Sequence, residues 1–231
     1  MTMPSTITLL SGGLDSTVLA ADLTRRGVAV DAVSVHYGQR HARELDAAAA
    51  VAGRLGIRHD VIDLSVLRDH LTGSALTDTI AVPEGHYAED TMRATVVPNR
   101  NAILLSVAVG LAVARGARTV ATAVHAGDHF VYPDCRPAFI DAISDAARTG
   151  TAGFGDVTVE APFVDATKAD IARVGANIGA PIELSWSCYR GGDVHCGRCG
   201  TCVERNEAFR HAGITDPTVY ADPDFAGRVA P

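Results

Sequence analysis

The sequence predicts an α/β protein built on a doubly wound parallel sheet. Apolar runs at 7–10, 28–35 and 57–64 alternate with segments of helical composition at about 16–26 and 41–55. Such alternation builds parallel sheets through crossover helices. The second run is apolar along most of its length, as expected of a strand covered on both faces. Ligands of these sheets bind beside the carboxyl ends of the strands, so the loops after each strand are where a site is expected.

The alternation continues through the second half of the chain. Residues 65–97 interrupt it with weak periodicity and scattered Gly, Pro and Thr, which fits either a substrate-covering lid or a dimer contact. A helix at about 102–115 follows, with Asn99 near its N-cap. It is hydrophobic on almost every side, so we expect it to be buried. The remaining predicted elements are a strand at 118–124, a helix at 137–148, a strand at 157–161 and a helix from its N-cap Thr167 to about 177.

A glycine turn joins the first strand to the first helix, with the sequence Ser11-Gly12-Gly13-Leu14-Asp15-Ser16. Two glycines let backbone N–H groups approach a ligand with no Cβ in the way. The helix start adds free N–H donors at the positive end of its dipole, so the turn predicts a phosphate cradle. It matches neither a Walker A loop nor Gly-x-Gly-x-x-Gly. The competing interpretation is an ordinary N-cap turn, in which Ser and Asp satisfy the helix N–H groups.

Composition narrows the class of protein. The chain has 231 residues, of which 47% are hydrophobic and 20% charged, and a net charge of −7. This length fits one α/β domain with a small appendage. The negative charge argues against a broad nucleic-acid-binding surface. Residues 1–5 carry no basic residue before a short apolar run, so we expect no secretion signal, no membrane span and a cytoplasmic protein.

Four of the five cysteines fall within fifteen residues, with the spacing C-x7-C-x2-C-x2-C: Cys188, Cys196, Cys199 and Cys202. Four thiolates on glycine-rich turns are typical of a closed, structural zinc site. Disulfides are a competing interpretation that a reducing compartment disfavours, and an iron–sulfur cluster is a second one. His195 lies among the cysteines, but four thiolates already fill a tetrahedral shell. We therefore predict a zinc-binding helical region over 185–231, after a nucleotide-binding domain over 1–184.

Two isolated residues also stand out. Lys168 is the single lysine beside 19 arginines, and an ammonium and a guanidinium are not interchangeable. Either chance preserved it, or its position requires the compact ammonium. Cys135 lies apart from the other cysteines and is either a catalytic thiol or, as is more common for a lone cysteine, a small buried hydrophobe.

Five motifs spread along the chain together resemble one family. They are Ser11–Ser16, His36-Tyr37-Gly38-Gln39-Arg40-His41, Val97-Pro98-Asn99-Arg100-Asn101, Tyr132-Pro133-Asp134-Cys135-Arg136, and Trp186-Ser187-Cys188-Tyr189 with the other three clustered cysteines. The first resembles the PP-loop of the ATP pyrophosphatases. The set, in this order over about residues 6–211, resembles the 7-cyano-7-deazaguanine synthase (QueC/ExsB) family. The resemblance implies an adenine nucleotide alpha hydrolase-like, Rossmann-like fold with a small C-terminal zinc-binding lobe.

The resemblance implies a C–N ligase of the pathway to preQ0 and queuosine. The family's substrates are 7-carboxy-7-deazaguanine, ATP and ammonia. ATP adenylates the carboxylate, and ammonia displaces AMP to give the amide. A second ATP activates the amide oxygen, and elimination gives the nitrile. The resemblance also implies structural Zn²⁺, Mg²⁺ on the phosphates and a homodimer, with no membrane or nucleic-acid partner.

The resemblance and side-chain chemistry together assign candidate residues. Asp15 would hold magnesium, and Lys168 suits a phosphate or adenylate. Arg100 and Arg136 suit bidentate contacts to carboxylate or phosphate, with a surface ion pair as the alternative for each. The predicted nucleotide contacts are Leu9, Leu10, Ser11, Gly12, Gly13, Leu14, Asp15, Ser16, Thr17, His36, Tyr37 and Gln39; His36 and His41 are otherwise ordinary loop residues.

One segment departs from the family pattern. The family usually has Asp-Tyr-Ser-Gly before Tyr-Pro-Asp-Cys-Arg, whereas this chain has Asp128-His129-Phe130-Val131. A small polar loop has become bulky and apolar, which leaves open a QueC-like enzyme with an altered acceptor or amine. Two other hypotheses are a tRNA-thiolating ATP pyrophosphatase, with Cys135 or a cluster handling sulfur, and a non-enzymatic zinc module.

Overall fold

The centre of the fold is a five-stranded parallel sheet. The structure is a computed structural model that describes residues 5–40 and 43–229. The strands are β1 (Thr6–Leu9), β2 (Val30–His36), β3 (Arg58–Asp63), β4 (Thr119–Ala121) and β5 (Thr158–Glu160). They lie in the order β3-β2-β1-β4-β5, and every pair is parallel. The predicted doubly wound sheet is confirmed. The chain reverses its direction of travel across the sheet at β1, and such a switch point opens a crevice for ligands.

Helices cover both faces of this sheet. The helices are α1 (Leu14–Arg25), α2 (Arg43–Leu55), α3 (Glu89–Met92), α4 (Arg100–Arg115), α5 (Pro137–Gly150), α6 (Lys168–Ile178), α7 (Gly200–Ala212) and α8 (Phe225–Val229). One face packs on α4 and α5, through Leu105, Ala108 and Ala147. The other packs on α1, α2 and α6, through buried residues such as Leu19 and Ile171.

The predicted boundaries are most accurate where a local signal marks them. Thr167 caps α6 in a full capping box, since its side chain accepts the Asp170 N–H and Asp170 accepts the Thr167 N–H. Strand β4 is shorter than its predicted span of 118–124 and ends at Ala121, after which the chain turns into the loop that carries His125. An apolar run alone does not show where a strand leaves its hydrogen-bond ladder.

The start of α4 differs from the prediction. Asn99 does occupy the N-cap position, but its backbone is left-handed, with φ of 53°, and its side chain makes no capping hydrogen bond. The carboxylate of Asp134 acts instead and accepts the N–H of Asn101 at 3.0 Å. A residue distant in sequence therefore satisfies the helix start.

The prediction that α4 is buried on all sides is wrong. Only Leu105, Ala108 and Ala112 of its 16 residues are buried. Residues 93–115 are long and apolar enough to resemble a membrane span by composition, with 22% buried. The left-handed Asn99 interrupts that stretch, and 16 helical residues extend about 24 Å, less than the roughly 30 Å of a bilayer core. Most of the other helix residues are partly buried, and the exposed ones are the small Ser106, Gly110 and Ala114.

The excursion over 65–97 crosses the carboxyl edge of the sheet. Two backbone hydrogen bonds hold it in place. The Leu76 carbonyl accepts the N–H of Arg40 at 2.9 Å, and the Gly85 N–H donates to the carbonyl of Arg198 at 2.9 Å. The hydroxyl of Tyr87 donates to Asp128 at 2.8 Å. Leu76 and Tyr87 both face the cleft described below, so this segment forms part of its wall.

A buried arginine fixes the C-terminal segment. Arg205 of α7 is fully buried and donates to the Ser185 hydroxyl at 2.7 Å and to the carboxylate of Asp216 at 3.3 Å. Asp216 also accepts the Tyr220 hydroxyl at 2.6 Å. These bonds join the segment after α7 to the body of the protein.

Replacing Asp216 with alanine should destabilise the protein by about 3–5 kcal/mol, because it leaves the Arg205 guanidinium buried without its counter-charge. Urea unfolding followed by circular dichroism would measure the change. Asp145→Ala is the control, since the ion pair of Asp145 with Arg148 lies on the surface, and its change should be within about 0.5 kcal/mol. Equal effects of the two substitutions would contradict a structural role for the buried pair.

Candidate active site

A cleft of about 240 Å³ lies at the carboxyl edge of the sheet. The ends of β1, β2 and β4 form its floor, and the segment at 186–189 forms one wall. This is the switch point of the strand order, where α/β sheets of this kind bind ligands. The cleft is therefore the candidate site.

The glycine turn enters this cleft in a conformation that requires glycine. Gly12 has φ of +86°, and a Cβ there would run into the carbonyl oxygen of Glu44 in α2. Its own carbonyl accepts the N–H of Trp186 at 2.8 Å. Helix α1 begins two residues later. Its N-cap, Gly13, has no side chain, and the Ser11 hydroxyl accepts the Gly13 N–H at 3.4 Å. No side chain of the described residues bonds to the N–H groups of Leu14, Asp15 and Ser16, so these amides are available to an anion, which favours the cradle over an ordinary side-chain-capped turn.

An ion network lies beside the turn. The ammonium of Lys168 is 2.7 Å from a carboxylate oxygen of Glu204 and 3.3 Å from Oδ2 of Asp15. Burial disfavours the charge on Lys168, but Asp15 and Glu204 more than offset this and raise its pKa. Burial would likewise raise the pKa of Asp15, but Lys168 and His125 outweigh it and lower that pKa. Lys168 and Asp15 are thus both ionised at neutral pH.

His125 joins this network through its ring nitrogens. Its Nδ1 accepts the N–H of Gly127 at 3.1 Å, so its Nε2 faces the charged side chains. Nε2 lies 3.4 Å from the Lys168 ammonium, 3.5 Å from Asp128 and 3.7 Å from Asp15. His125, Asp128 and Glu204 are also close enough to share a metal ion.

The opposite end of the cleft contains an arginine and tyrosines. Arg100 donates to the hydroxyl of Tyr37 at 3.2 Å, with its guanidinium 5.6 Å from the centre of that ring. Tyr132 and Tyr189 line the same end. Burial raises the pKa of Glu44, which also faces the cleft, to about 7, with Arg100 opposing the rise. Arg100 is accordingly in the site, not on the surface.

The four clustered cysteines converge on one point. Their sulfur atoms all lie within 4.8 Å of one another, and Sγ of Cys196 is 3.9 Å from Sγ of Cys202. Four sulfurs placed tetrahedrally about 2.3 Å from zinc would be about 3.8 Å apart. Hydrogen bonding with Cys188 and the other thiols lowers the pKa of Cys196, whose sulfur also accepts the N–H groups of Arg198 and Cys199 at 3.3 Å. The set therefore fits a thiolate metal site, and none of its members forms a disulfide.

Comparison with known proteins decides the family. A sequence model of the family described as queuosine biosynthesis protein QueC matches residues 5–213. The chain belongs to the QueC family. A relative from Rhizobium rhizogenes named 7-cyano-7-deazaguanine synthase is 58% identical over 220 residues, covering 95% of this chain and 93% of the relative. Another of that name, from a Ruegeria species, is 56% identical over 230 residues, covering 97% of this chain and 99% of the relative.

A solved structure shows the fold alone. The NMN synthetase from Francisella tularensis superposes with a TM-score of 0.52 at 14% identity, covering 98% of this chain and 84% of that chain. The match confirms the Rossmann-like α/β architecture predicted from the sequence. At that identity it carries no information about substrate.

Most of the predicted site residues of this QueC protein line the cleft. They are Leu9, Leu10, Ser11, Gly13, Leu14, Asp15, Ser16, Tyr37, Gln39, Arg100 and Lys168. Gly12 and Thr17 support the turn from behind, and the Thr17 hydroxyl is buried. His41 lies outside the described residues. What each lining residue contacts in a complex stays a prediction.

Two predicted residues are not in the cleft. Arg136 is exposed, and its Nε donates to the carbonyl of His129 at 2.7 Å. His36 is the last residue of β2, and its Nδ1 lies 3.6 Å from Asp63 of β3. Tyr37, the first residue after β2, lines the cleft, and His36 does not. The structure thus places Arg136 and His36 outside the cleft, and their assignment as site residues stays a prediction that this geometry does not favour.

The segment at 128–131, which departs from the family pattern, lies mostly outside the cleft. Of its residues only Asp128 lines it. Phe130 is 43% exposed and packs edge-on against Tyr87, with ring centroids 6.0 Å apart. Val131 is buried in a cluster with Met92 and Tyr132. The bulky apolar residues therefore fill a position behind the wall and do not narrow the site.

Sequence reasoning missed several polar cleft residues, among them Glu44, Tyr87 and Glu204. Glu44 lies in an alanine-rich helix and Tyr87 in the irregular excursion, and no local signal marks either. Glu204 follows Cys202 by two residues, so its place next to Lys168 depends on how α7 packs against α6.

The structure also locates Cys135 and His195, two residues whose roles the sequence did not decide. Cys135 lines the cleft but is only 4% exposed, receives a hydrogen bond from Asn101 at 3.2 Å, and has its pKa raised by burial. These features favour a small buried hydrophobe over a reactive thiolate. His195 stacks on Trp186 with ring centroids 4.2 Å apart, and its Nε2 accepts the N–H of Ser187 at 3.0 Å. That nitrogen is therefore engaged away from the cysteines.

Proposed function

We propose that this chain converts 7-carboxy-7-deazaguanine and ammonia to 7-cyano-7-deazaguanine at the expense of ATP. The observation that carries the proposal is the uncapped glycine turn, with Lys168 and Asp15 beside it, in a chain 56–58% identical to enzymes of that name. The family is one of queuosine biosynthesis, and this reaction would supply its nitrile.

The reaction contains two similar activation steps, and in each one negative charge develops on a departing pyrophosphate and must be stabilised. A carboxylate oxygen attacks the α-phosphorus of ATP and pyrophosphate leaves, giving an acyl adenylate. Ammonia then displaces AMP and loses a proton, leaving the amide. The amide oxygen attacks a second ATP, and loss of AMP and two protons gives the nitrile. Free α1 amides and the Lys168 ammonium would stabilise the departing pyrophosphate in both activations, where charge develops.

One carboxylate oxygen of this site is suited to bind magnesium. Oδ1 of Asp15 is buried with no hydrogen-bond partner among the described residues, while Oδ2 faces Lys168. A free carboxylate oxygen beside a phosphate cradle is a ligand that Mg²⁺ prefers, directly or through water. Bound there, Mg²⁺ would neutralise phosphate charge.

The structure favours this reaction over the alternatives. The hypothesis of an altered acceptor depended on the segment at 128–131. The changed residues of that segment lie behind the cleft wall. A tRNA-thiolating enzyme would need a reactive thiol or a basic surface. Cys135 is buried with a raised pKa, and the net charge is −7. The uncapped anion cradle in turn argues against a purely structural zinc module.

Several finer properties stay predictions. The exposed residues of α4 are the small Ser106, Gly110 and Ala114, which would let a second copy pack closely and so support the homodimer that the resemblance implies. The cytoplasmic location and the division into 1–184 and 185–231 rest on the sequence alone.

Mass spectrometry of a reaction with purified protein, ATP, Mg²⁺, ammonium and 7-carboxy-7-deazaguanine tests the function. We expect the nitrile, with two AMP and two pyrophosphate for each molecule formed. Accumulation of the amide would contradict the second activation. Unreacted carboxylate beside a protein that binds ATP would mean that the acceptor is different.

Replacing Lys168 with arginine should lower kcat by about 100-fold while changing the unfolding midpoint by only a few degrees. A guanidinium can still pair with Asp15 and Glu204, but it cannot place one compact donor on the phosphate. Arg173→Lys, an exposed change on the same helix, is the control and should leave both quantities unchanged. Unaltered turnover in Lys168→Arg would remove Lys168 from the catalytic site.

We infer that the cysteine cluster holds one structural Zn²⁺ per chain. Metal analysis by mass spectrometry should find one zinc in the wild type and in Cys135→Ser, and none in Cys199→Ser, because a closed tetrahedral site needs all four thiolates. Since Cys188 also lines the cleft, zinc removal should abolish turnover along with local order. Iron and sulfide in the wild type would instead establish an iron–sulfur cluster.

A further inference from the structure

Glu44 is a cleft residue without a partner. It lies in the first turn of α2, where its main-chain carbonyl packs against Gly12, and its side chain lines the cleft. No hydrogen bond or ion pair from residues 5–40 and 43–229 engages its carboxylate. Burial raises its pKa to about 7. A partly buried acid with unused acceptor capacity is costly unless a ligand completes it.

Arg100, Tyr37 and Tyr189 line the cleft with Glu44 and interact electrostatically with it. Arg100 is near enough to influence the charge on Glu44, yet no direct ion pair joins the two side chains. The phenols of Tyr37 and Tyr189 lie on the same side and remain protonated, because burial raises both pKa values. Arg40, the other arginine of the cleft, is occupied by the carbonyl of Ile80 at 2.9 Å. This part of the cleft thus combines one carboxylate without a partner, one guanidinium that contacts only the Tyr37 phenol among the described side chains, and two neutral phenols.

The other charged side chains of the cleft already have partners. Asp15, Lys168 and Glu204 form the ion network beside the glycine turn, where polyphosphate would bind. Asp128 accepts the hydroxyl of Tyr87. Glu44 and Arg100 are therefore the charged pair of the cleft left to recognise a heterocycle.

We propose that Glu44, together with Arg100, is the specificity-determining pair that recognises a 2-amino-6-oxo ring, the edge that guanine presents. The two carboxylate oxygens of Glu44 accept the ring N1–H and the exocyclic 2-amino group in parallel, and Arg100 donates to the 6-oxo group. An adenine edge, with an acceptor at N1 and an amino group at position 6, leaves both residues unsatisfied. This inference rests on the proposed function and names the residues that select its substrate.

Calorimetric binding without ATP, so that no reaction occurs, tests the pair. The two ligands are 7-carboxy-7-deazaguanine and its analogue that lacks the 2-amino group. In the wild type the analogue should bind about 5- to 150-fold more weakly, the range that one bidentate base contact supplies. In Glu44→Gln this ratio should fall to near one, because an amide group offers only one acceptor oxygen. Glu183→Gln, an exposed substitution outside the cleft, should keep the wild-type ratio.

The outcomes separate this inference from the proposed function. Circular dichroism and the unfolding midpoint show whether Glu44→Gln is folded, and Glu44→Asp, which keeps a carboxylate, should retain part of the ratio. A folded Glu44→Gln that still discriminates overturns the role of Glu44. Nitrile formation by a wild type that binds both ligands equally overturns the inference and keeps the function. A wild type that binds neither 7-carboxy-7-deazaguanine nor guanine overturns both.

Discussion

The carboxyl edge of the sheet depends on one close approach, at Gly12. Its left-handed backbone leaves no room for a Cβ against the carbonyl of Glu44, and its own carbonyl accepts the N–H of Trp186. Three segments that are distant in sequence therefore meet at a single residue: the glycine turn, the start of α2 and the segment that leads into the cysteines. Because the turn is held by backbone contacts, its amides do not need side-chain caps and remain available to an anion.

Electrostatics divides the cleft into two ends. Beside the turn, the Lys168 ammonium is shared by the carboxylates of Asp15 and Glu204, so this cation is already paired before any nucleotide arrives. Polyphosphate binding there would therefore also draw on the α1 amides and on a bound cation. At the other end, Arg100 lies among tyrosines whose phenols stay neutral. That end suits a polar but uncharged ring.

Local signals in the sequence predicted much of the fold, and long-range packing explains what they missed. The five strands and the capping box at Thr167 come from periodicity and from residues three apart, so they were predictable. The burial of α4 depends on what covers it, which its own apolar residues do not reveal. Arg136 follows a tight turn whose direction the motif does not encode, and it points to solvent. Glu204 reaches Lys168 only through the packing of α7 on α6.

The position of Trp186 gives the protein a built-in optical reporter. It is the only tryptophan of the chain. Its backbone is bonded to Gly12, its indole N–H donates to the carbonyl of Cys188 at 2.9 Å, and its ring stacks on His195. One fluorophore therefore touches both the anion-binding turn and the thiolate cluster. Its intrinsic emission is free of any second indole, so a shift in wavelength or intensity can be attributed to this junction without an extrinsic label.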